Sequence, residues 1–242
     1  MQFLIIRHGD PDYVHDSLTE KGFREAELLA RRLKKEGVDK IYVSPLGRAA
    51  ATAAPTAKAL GLEPETLQWL REFPVTLAQT GHNPNPQGKC PWNIFPDEWH
   101  AQECVYDKDG WRNFSLYRDT GIAEYYDMIS GELDALFERH GYVRDNGFYR
   151  IKPGYENSRE TVALFCHHGV GCALLAHICS VPLPQFWHTF FLTTSSVTRI
   201  LMEKHRPDGR SAVARIIALA DTSHLYAGNE PVSSSGLHSP IE

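Results

Sequence analysis

The stretch Phe3-Leu4-Ile5-Ile6 carries no polar side chain and runs straight into Arg7-His8-Gly9. An all-apolar strand has no solvent face, which marks a parallel sheet covered on both sides. In such sheets ligands sit just beyond the carboxyl ends of the strands. This chain puts a guanidinium, an imidazole and a glycine there. Arginine matches phosphate oxygens with a rigid donor fork. Glycine lets the backbone approach a ligand closely. Histidine can attack phosphorus through an unprotonated ring nitrogen. On its own the tripeptide is equally a chance strand-to-loop turn, so partners further along must decide.

Two later segments repeat the arrangement. A second strand at 40–43, apolar over Ile41-Tyr42-Val43, leads through Ser44-Pro45-Leu46-Gly47-Arg48 into an alanine-rich helix over 48–60, a composition of high helix propensity. Arg48 falls at the helix start, where backbone N–H groups and the dipole favour an anion. A third strand, Val162 to Cys166, leads into His167-His168-Gly169 and an apolar helix over about 170–180.

The ordered set resembles the histidine phosphatase superfamily, the phosphoglycerate mutase-like family. The matching elements are Arg7-His8-Gly9, Asp16-Ser17-Leu18-Thr19-Glu20-Lys21-Gly22, Ser44-Pro45-Leu46-Gly47-Arg48-Ala49 with Thr52-Ala53, Leu70-Arg71-Glu72, His168-Gly169 and Asp221-Thr222-Ser223-His224-Leu225. They cover residues 1–72 and 160–225. The resemblance implies that His8 is the nucleophile and forms a phosphohistidine. It implies that Arg7, Arg48 and His168 bind the phosphoryl oxygens, and that Glu72 protonates the leaving alcohol and then deprotonates water. Phosphoryl transfer depends on positioning and fixed positive charge, so these residue types suit it. No metal or other cofactor is required, because the arginines and histidines supply the cations.

Other residues near these motifs read differently. Adjacent residues of an extended strand point to opposite sides, so only one of His167 and His168 is expected to face the site. The His-Gly pairing selects His168 and leaves His167 a hydrogen-bonded structural role. Asp10 either binds at the site by orienting Arg7 or caps its loop. Arg71 is a solvated charge, and His224 holds the C-terminal segment near the site without catalysing. Ser17 with Glu20 fits a capping box, with Thr19 as the alternative N-cap.

The order of elements predicts an α/β three-layer sandwich with a central, mostly parallel sheet, helices on both faces and a helical and loop cap. Residues 1–226 form one domain with the cap inserted at about 73–160, and 227–242 form a loose polar tail. The helix over 19–36 places Phe23, Ala26, Ala30 and Leu33 on one face, with Gly37 as its stop. A short strand at about 66–70 leads to Glu72, and 119–140 is helical. Strands near 196–203 and 212–219 flank a hairpin turn at Pro207-Asp208-Gly209. The inserted stretch carries Pro84, Pro86, Pro91 and Pro96 with Trp92, Trp99 and Trp111, too aromatic for a disordered linker. It reads as an aromatic lid over the phosphate pocket, although any one tryptophan could equally serve only packing. His82, Cys90, His100 and Cys104 match no regular zinc spacing.

At 242 residues with 42% hydrophobic content, the chain is long enough for one large core. A net charge of -5 with no basic run argues against nucleic acid. No apolar stretch approaches the roughly 18 residues of a membrane span. Five cysteines, none closely paired, and no signal-like start suit a reducing cytoplasm. Cys166, Cys172 and Cys179 read as core thiols.

The expected activity is therefore hydrolysis of a small phosphorylated metabolite, a phosphomonoester, by a metal-independent phosphatase. The alternatives are mutase-type phosphoryl transfer and a catalytically weak phospho-ligand binding module. Asp10-Pro11-Asp12-Tyr13 and Phe73-Pro74-Val75-Thr76 stand where mutases carry other residues, which weakens the mutase alternative. The residue after His168 is not aspartate, which separates the chain from the acid phosphatase and phytase branch.

Overall fold

A computed structural model of the chain describes residues 1–77, 90–204 and 209–241. The sites of His82, Pro84, Pro86 and the Pro207-Asp208 part of the hairpin turn lie outside the described residues.

The chain opens with β1 (Gln2–Arg7), a small hairpin of β2 (Pro11–Asp12) and β3 (Ser17–Leu18), and helix α1 (Glu20–Glu36). Strand β4 (Lys40–Val43), helix α2 (Gly47–Leu60) and the two-residue β5 (Glu65–Thr66) follow. The strand expected over 66–70 is cut short there, and Gln68–Leu70 form a 3-10 turn. The middle of the chain holds α3 (Pro96–His100), α4 (Ile122–Arg139), β6 (Tyr142–Asp145) and β7 (Phe148–Ile151). Then come β8 (Thr161–Cys166), α5 (His168–Cys179), α6 (Leu183–Thr189), β9 (Val197–Lys204), β10 (Ser211–Asp221) and α7 (Ser223–Ala227).

The main sheet has the order β5-β4-β8-β1-β9-β10-β7-β6. Strands β5, β4, β8 and β1 run parallel, and the later strands extend the sheet antiparallel from β1. Side chains of β1 alternate between two cores, as strand geometry requires. Leu4 and Ile6 pack with Leu29 and Leu33 of α1 and Ala53 of α2. Phe3 and Ile5 pack on the other face with Leu133 and Leu136 of α4 and Leu174 of α5. These are the three layers.

That division places the site. The chain leaves β1 and β4 toward the α1/α2 face but leaves β8 toward the α5 face. The crevice between such strands is a topological switch point. Parallel register puts Arg7 beside Cys166 and Val43 beside Phe165, so the residues that follow each strand end together.

Helix α1 begins at Thr19, whose hydroxyl accepts the Gly22 N–H at 3.1 Å, so Thr19 rather than Ser17 is the N-cap. The contact of Gly9 with Gly22 needs both glycines. A Cβ on Gly22 would lie 2.2 Å from the Asp10 carbonyl, and one on Gly9 would lie 2.9 Å from the Gly22 carbonyl. Phe23 corrects the expected apolar stripe: it is 48% exposed, and Glu25 and Leu29 are buried with Ala26, Ala30 and Leu33 instead.

The 73–160 stretch is divided. Cys90, Trp92 and Trp99 line a cavity with His168, whereas Phe137 of α4 stacks on Phe3 at 4.1 Å and β6 and β7 join the sheet. The segment after Ala227, expected to be loose, is tied back. Glu230 bonds Lys21 at 2.9 Å and Arg24 at 2.8 Å, and Ser233 donates to the Asp10 carboxylate. Cys166 and Cys172 are buried core thiols, but Cys179 is exposed because it falls on the outer side of the last turn of α5. Among the described residues no three His, Cys, Asp or Glu side chains are grouped to hold a metal, and no helix is long and apolar enough to cross a membrane.

Candidate active site

His8 leaves the end of β1 with its backbone N–H on the Cys166 carbonyl at 3.0 Å. Its Nδ1 is 2.7 Å from the Gly9 carbonyl. A carbonyl can only accept, so Nδ1 carries the proton and Nε2 keeps its lone pair. Burial, then the charge of Arg7, pulls His8 down to about 3, against the Gly9 bond. The imidazole is therefore neutral and nucleophilic at Nε2 across the physiological range. Thr52 of α2 fixes the turn: its hydroxyl donates to the Arg48 carbonyl at 2.7 Å and accepts the Gly9 N–H at 2.9 Å.

Two guanidiniums converge here. Arg7 is 3% exposed; it donates through Nη1 to the Leu192 carbonyl at 2.6 Å and through Nη2 to the Ser235 carbonyl at 3.2 Å. Burial lowers its pKa, opposed by Tyr13 and Glu72. Arg48 donates through Nη1 to Asp16 at 2.6 Å, and Asp16 also accepts the Gly47 N–H at 2.7 Å. The Nε atoms of both arginines are buried with no hydrogen-bond partner among the described residues. Unspent buried donors on two cations suit an anion with several acceptor oxygens.

His167 has the hydrogen-bonded role expected of it, yet its ring also lies against His8, while His168 faces Trp92 and Phe191. The strand ends at Cys166 and helix α5 begins at His168, so strand geometry no longer governs the pair. The His167 ring lies 5.1 Å from the His8 ring, and its Nε2 is 2.7 Å from the Ser44 hydroxyl. Burial first, then His8, holds His167 well below its ordinary pKa. His168 is pulled to about 3 by burial and Arg7, opposed by its bond to the Leu192 carbonyl. Leu192 thus ties Arg7 and His168 to one acceptor.

Glu72 is half-buried at the start of α5. Its Oε1 accepts the N–H groups of Phe73 at 2.8 Å and Val170 at 2.9 Å, and its Oε2 accepts that of Gly169 at 3.2 Å. Helix N-termini hold carboxylates in this way. Trp92 closes over the same turn: a Cβ on Gly169 would lie 2.3 Å from its ring and 2.8 Å from Glu72 Oε1.

Asp10 does not reach Arg7. Its carboxylate accepts from Thr19 at 2.7 Å and from Ser233, which is the loop-cap alternative. Behind it, buried Glu25 accepts the Asp10 N–H at 2.8 Å and the Thr194 hydroxyl at 3.1 Å. His224 is buried with Nε2 3.0 Å from the Ser195 hydroxyl, and Ser195 N–H donates to the His8 carbonyl at 3.0 Å. Sequence reasoning passed over Asp16, Thr52, Glu25 and Ser44. Asp16, Ser44 and Thr52 lay inside quoted motifs, which was a usable signal; Glu25 had none beyond a charge on the buried stripe of α1.

Residues 3–104 match the model of the histidine phosphatase superfamily, branch 1. Phosphoserine phosphatase 1 of Hydrogenobacter thermophilus is 33% identical over 219 residues, covering 85% of this chain and 89% of that protein. A probable phosphoglycerate mutase of Yersinia enterocolitica is 35% identical over 89 residues, 33% of this chain and 41% of its own length. Two solved structures share the fold. An Entamoeba histolytica phosphoserine phosphatase, solved with 3-phosphoglyceric acid, has a TM-score of 0.60 at 18% identity, covering 93% of this chain and 98% of its own. A mycobacterial glucosyl-3-phosphoglycerate phosphatase has a TM-score of 0.62 at 20% identity, covering 90% and 98%.

Proposed function

This chain belongs to the histidine phosphatase superfamily, and from that premise we propose that it hydrolyses a small phosphomonoester through a phosphohistidine at His8. One observation carries the reading. A neutral His8 with a free Nε2 stands beside two arginines whose buried Nε donors are unspent.

The steps follow from the residues. Arg7, Arg48 and the His168 ring hold the phosphoryl oxygens and spread their charge, the main requirement of phosphoryl transfer. His8 Nε2 attacks phosphorus as the bond to the leaving oxygen breaks. Glu72 gives that oxygen a proton, and Oε2, held by one longer bond, is the oxygen free to carry it. Glu72 then takes a proton from water, which attacks the phosphohistidine and breaks the P–N bond. Phosphate leaves, and His8 returns to its neutral form. Asp16 positions Arg48, and Thr52 positions His8 through Gly9. Asp10 acts as a loop cap and tether, not as a substrate ligand.

The 89-residue match to a probable phosphoglycerate mutase favours a second reading, return of the phosphoryl group to substrate. One assay separates the two. Phosphate release in EDTA from sugar phosphates, phosphoglycerates, nucleotides and phosphoamino acids is compared for wild type and His8→Ala. We expect release by the wild type and a loss of at least about 10³-fold in the variant. Isomerisation of 3-phosphoglycerate with a bisphosphate primer, and no release, would favour the mutase. Equal activity of the variant would sink the mechanism. The reading also places the protein in the cytoplasm, in keeping with its free thiols.

A further inference from the structure

Beyond His168 the fold opens a cavity of about 830 Å³. Its walls include Trp92, Trp99, Trp187, Phe190 and Phe191, with Leu237 from the C-terminal segment. That volume falls in the range that holds a drug-sized ligand. One indole edge of the wall is turned into the protein. Trp187 Nε1 donates to the Gly169 carbonyl at 2.9 Å, and His188 stacks on Trp99 at 4.7 Å. Among the described lining residues there is no Lys, Arg, Asp or Glu.

The cavity is joined to the reacting centre. The Trp92 ring is 5.8 Å and the Phe191 ring 4.7 Å from the His168 ring, and Phe191 lies 5.3 Å from the Arg7 guanidinium. Trp92 and Glu72 meet over Gly169. The proposed proton donor thus stands next to Trp92, a wall of the cavity, without lining the cavity itself. With the phosphoryl group held at Arg7 and Arg48, the leaving alcohol extends into the aromatic space.

The lining selects among alcohols. A serine or glycerate group carries a carboxylate; Arg7 flanks the cavity at Phe191, but at its far, tryptophan-lined end the described lining offers no Lys or Arg, and a carboxylate buried there without a countercharge is strongly unfavourable. A sugar needs a ring of donors and acceptors, and the polar side chains on this lining, among them Asn93, Thr189, His188 and His238, are outnumbered by aromatic and aliphatic ones. A flat apolar ring meets edge and face partners on several sides. We propose that the site takes phosphomonoesters of uncharged alcohols bearing an aromatic ring, the ring lying among Trp92, Trp99, Trp187 and Phe190. This rests on the phosphoryl site described above and adds the leaving group.

The test is calorimetric titration of full-length His8→Ala, which holds an ester without turning it over. The ligands are 2-phenylethyl phosphate, ethyl phosphate, phosphoserine and glucose 6-phosphate. The first two differ by one phenyl ring. We expect the phenylethyl ester to bind about 30-fold tighter than ethyl phosphate, the effect of burying one such ring. Adding Trp99→Ala should narrow that gap to about threefold. The wild-type chain with the matching phosphonates, which have no scissile ester bond, gives the same comparison without relying on the variant's folding. Equal affinities, preference for phosphoserine or glucose 6-phosphate, or no binding of any ester overturns the proposal. Phosphate release by the wild type is read separately. A chain that binds the phenylethyl ester tightly but releases no phosphate keeps this ligand class and loses the hydrolase reading.

Discussion

At Gly169 one missing methyl group sets the relation between Glu72, helix α5 and Trp92. The space a Cβ would take is filled by Trp92 at 2.3 Å and Glu72 at 2.8 Å. Gly169→Ala should therefore displace both and cut kcat/KM at least about 100-fold, the scale of a misplaced reacting group. Steady-state kinetics check this beside the melting temperature. An activity loss no larger than the accompanying loss of folded protein would show that the turn tolerates the methyl. Glu72→Gln keeps the shape and removes the transferable proton, so kcat should fall by about 10²–10⁴-fold. The loss in the first step, read as the burst of released alcohol, should shrink for esters of acidic alcohols, which leave without protonation. Glu25 makes a prediction about pH. Burial raises it to about 7, against the Asp10 and Thr194 bonds and Lys21. The folded state thus holds a proton that the unfolded chain releases at the ordinary carboxylate pKa of about 4.3. Its stabilising contribution is full below that value and is lost as pH rises through about 7. Relative to wild type, Glu25→Gln should gain on the order of 3 kcal/mol between pH 4 and pH 8 in urea unfolding. A stability difference that does not change with pH would refute the assignment.

At the scale of elements, the C-terminal segment matters most. It reaches Arg7 through the Ser235 carbonyl and Asp10 through Ser233, and Gly236 and Leu237 line the aromatic cavity. Removing residues 232–242 frees Arg7 of one partner and opens a wall, while Glu230 keeps its bonds to Lys21 and Arg24. We expect kcat/KM to fall by about tenfold or more, with a melting temperature within a few degrees of wild type. Unchanged kinetics would mean that the segment only covers the site. Elements also show where sequence reading stopped. Strands β6 and β7 were passed over although Asn146-Gly147 between them is a strong hairpin signal, and both residues adopt positive φ. Helix α6 starts at two prolines that read in sequence as a break: Pro182 is its N-cap and Pro184 lies in its first turn, where proline fits a helix. The 3.6-residue periodicity over 119–140 gave α4 correctly, but not that its buried face packs under the sheet.

The whole molecule rests on two cores separated by one sheet. Leu33 lies in the first and Leu136 in the second. Each Leu→Ala change should cost about 2–5 kcal/mol, and the two together should add within about 0.5 kcal/mol because they share no partners. Urea unfolding of the single and double variants measures this, and a large coupling term would mean that the sheet transmits strain between its faces. The sequence determined much at this scale. All-apolar runs at β1, β4 and β8 demand burial on both faces, and short-range spacing ties Arg7, His8, Arg48 and His168 to strand ends or helix starts. These are local properties, set by side-chain polarity and backbone preference. Other facts needed the tertiary structure: that Arg48 spends one nitrogen on Asp16, that the His167 ring lies against His8, that Asp10 caps a loop, and that the tail is tied down. Each depends on contacts between residues far apart in the chain. Which groups meet there is decided by how two layers of helices close over the sheet, and no local pattern encodes that.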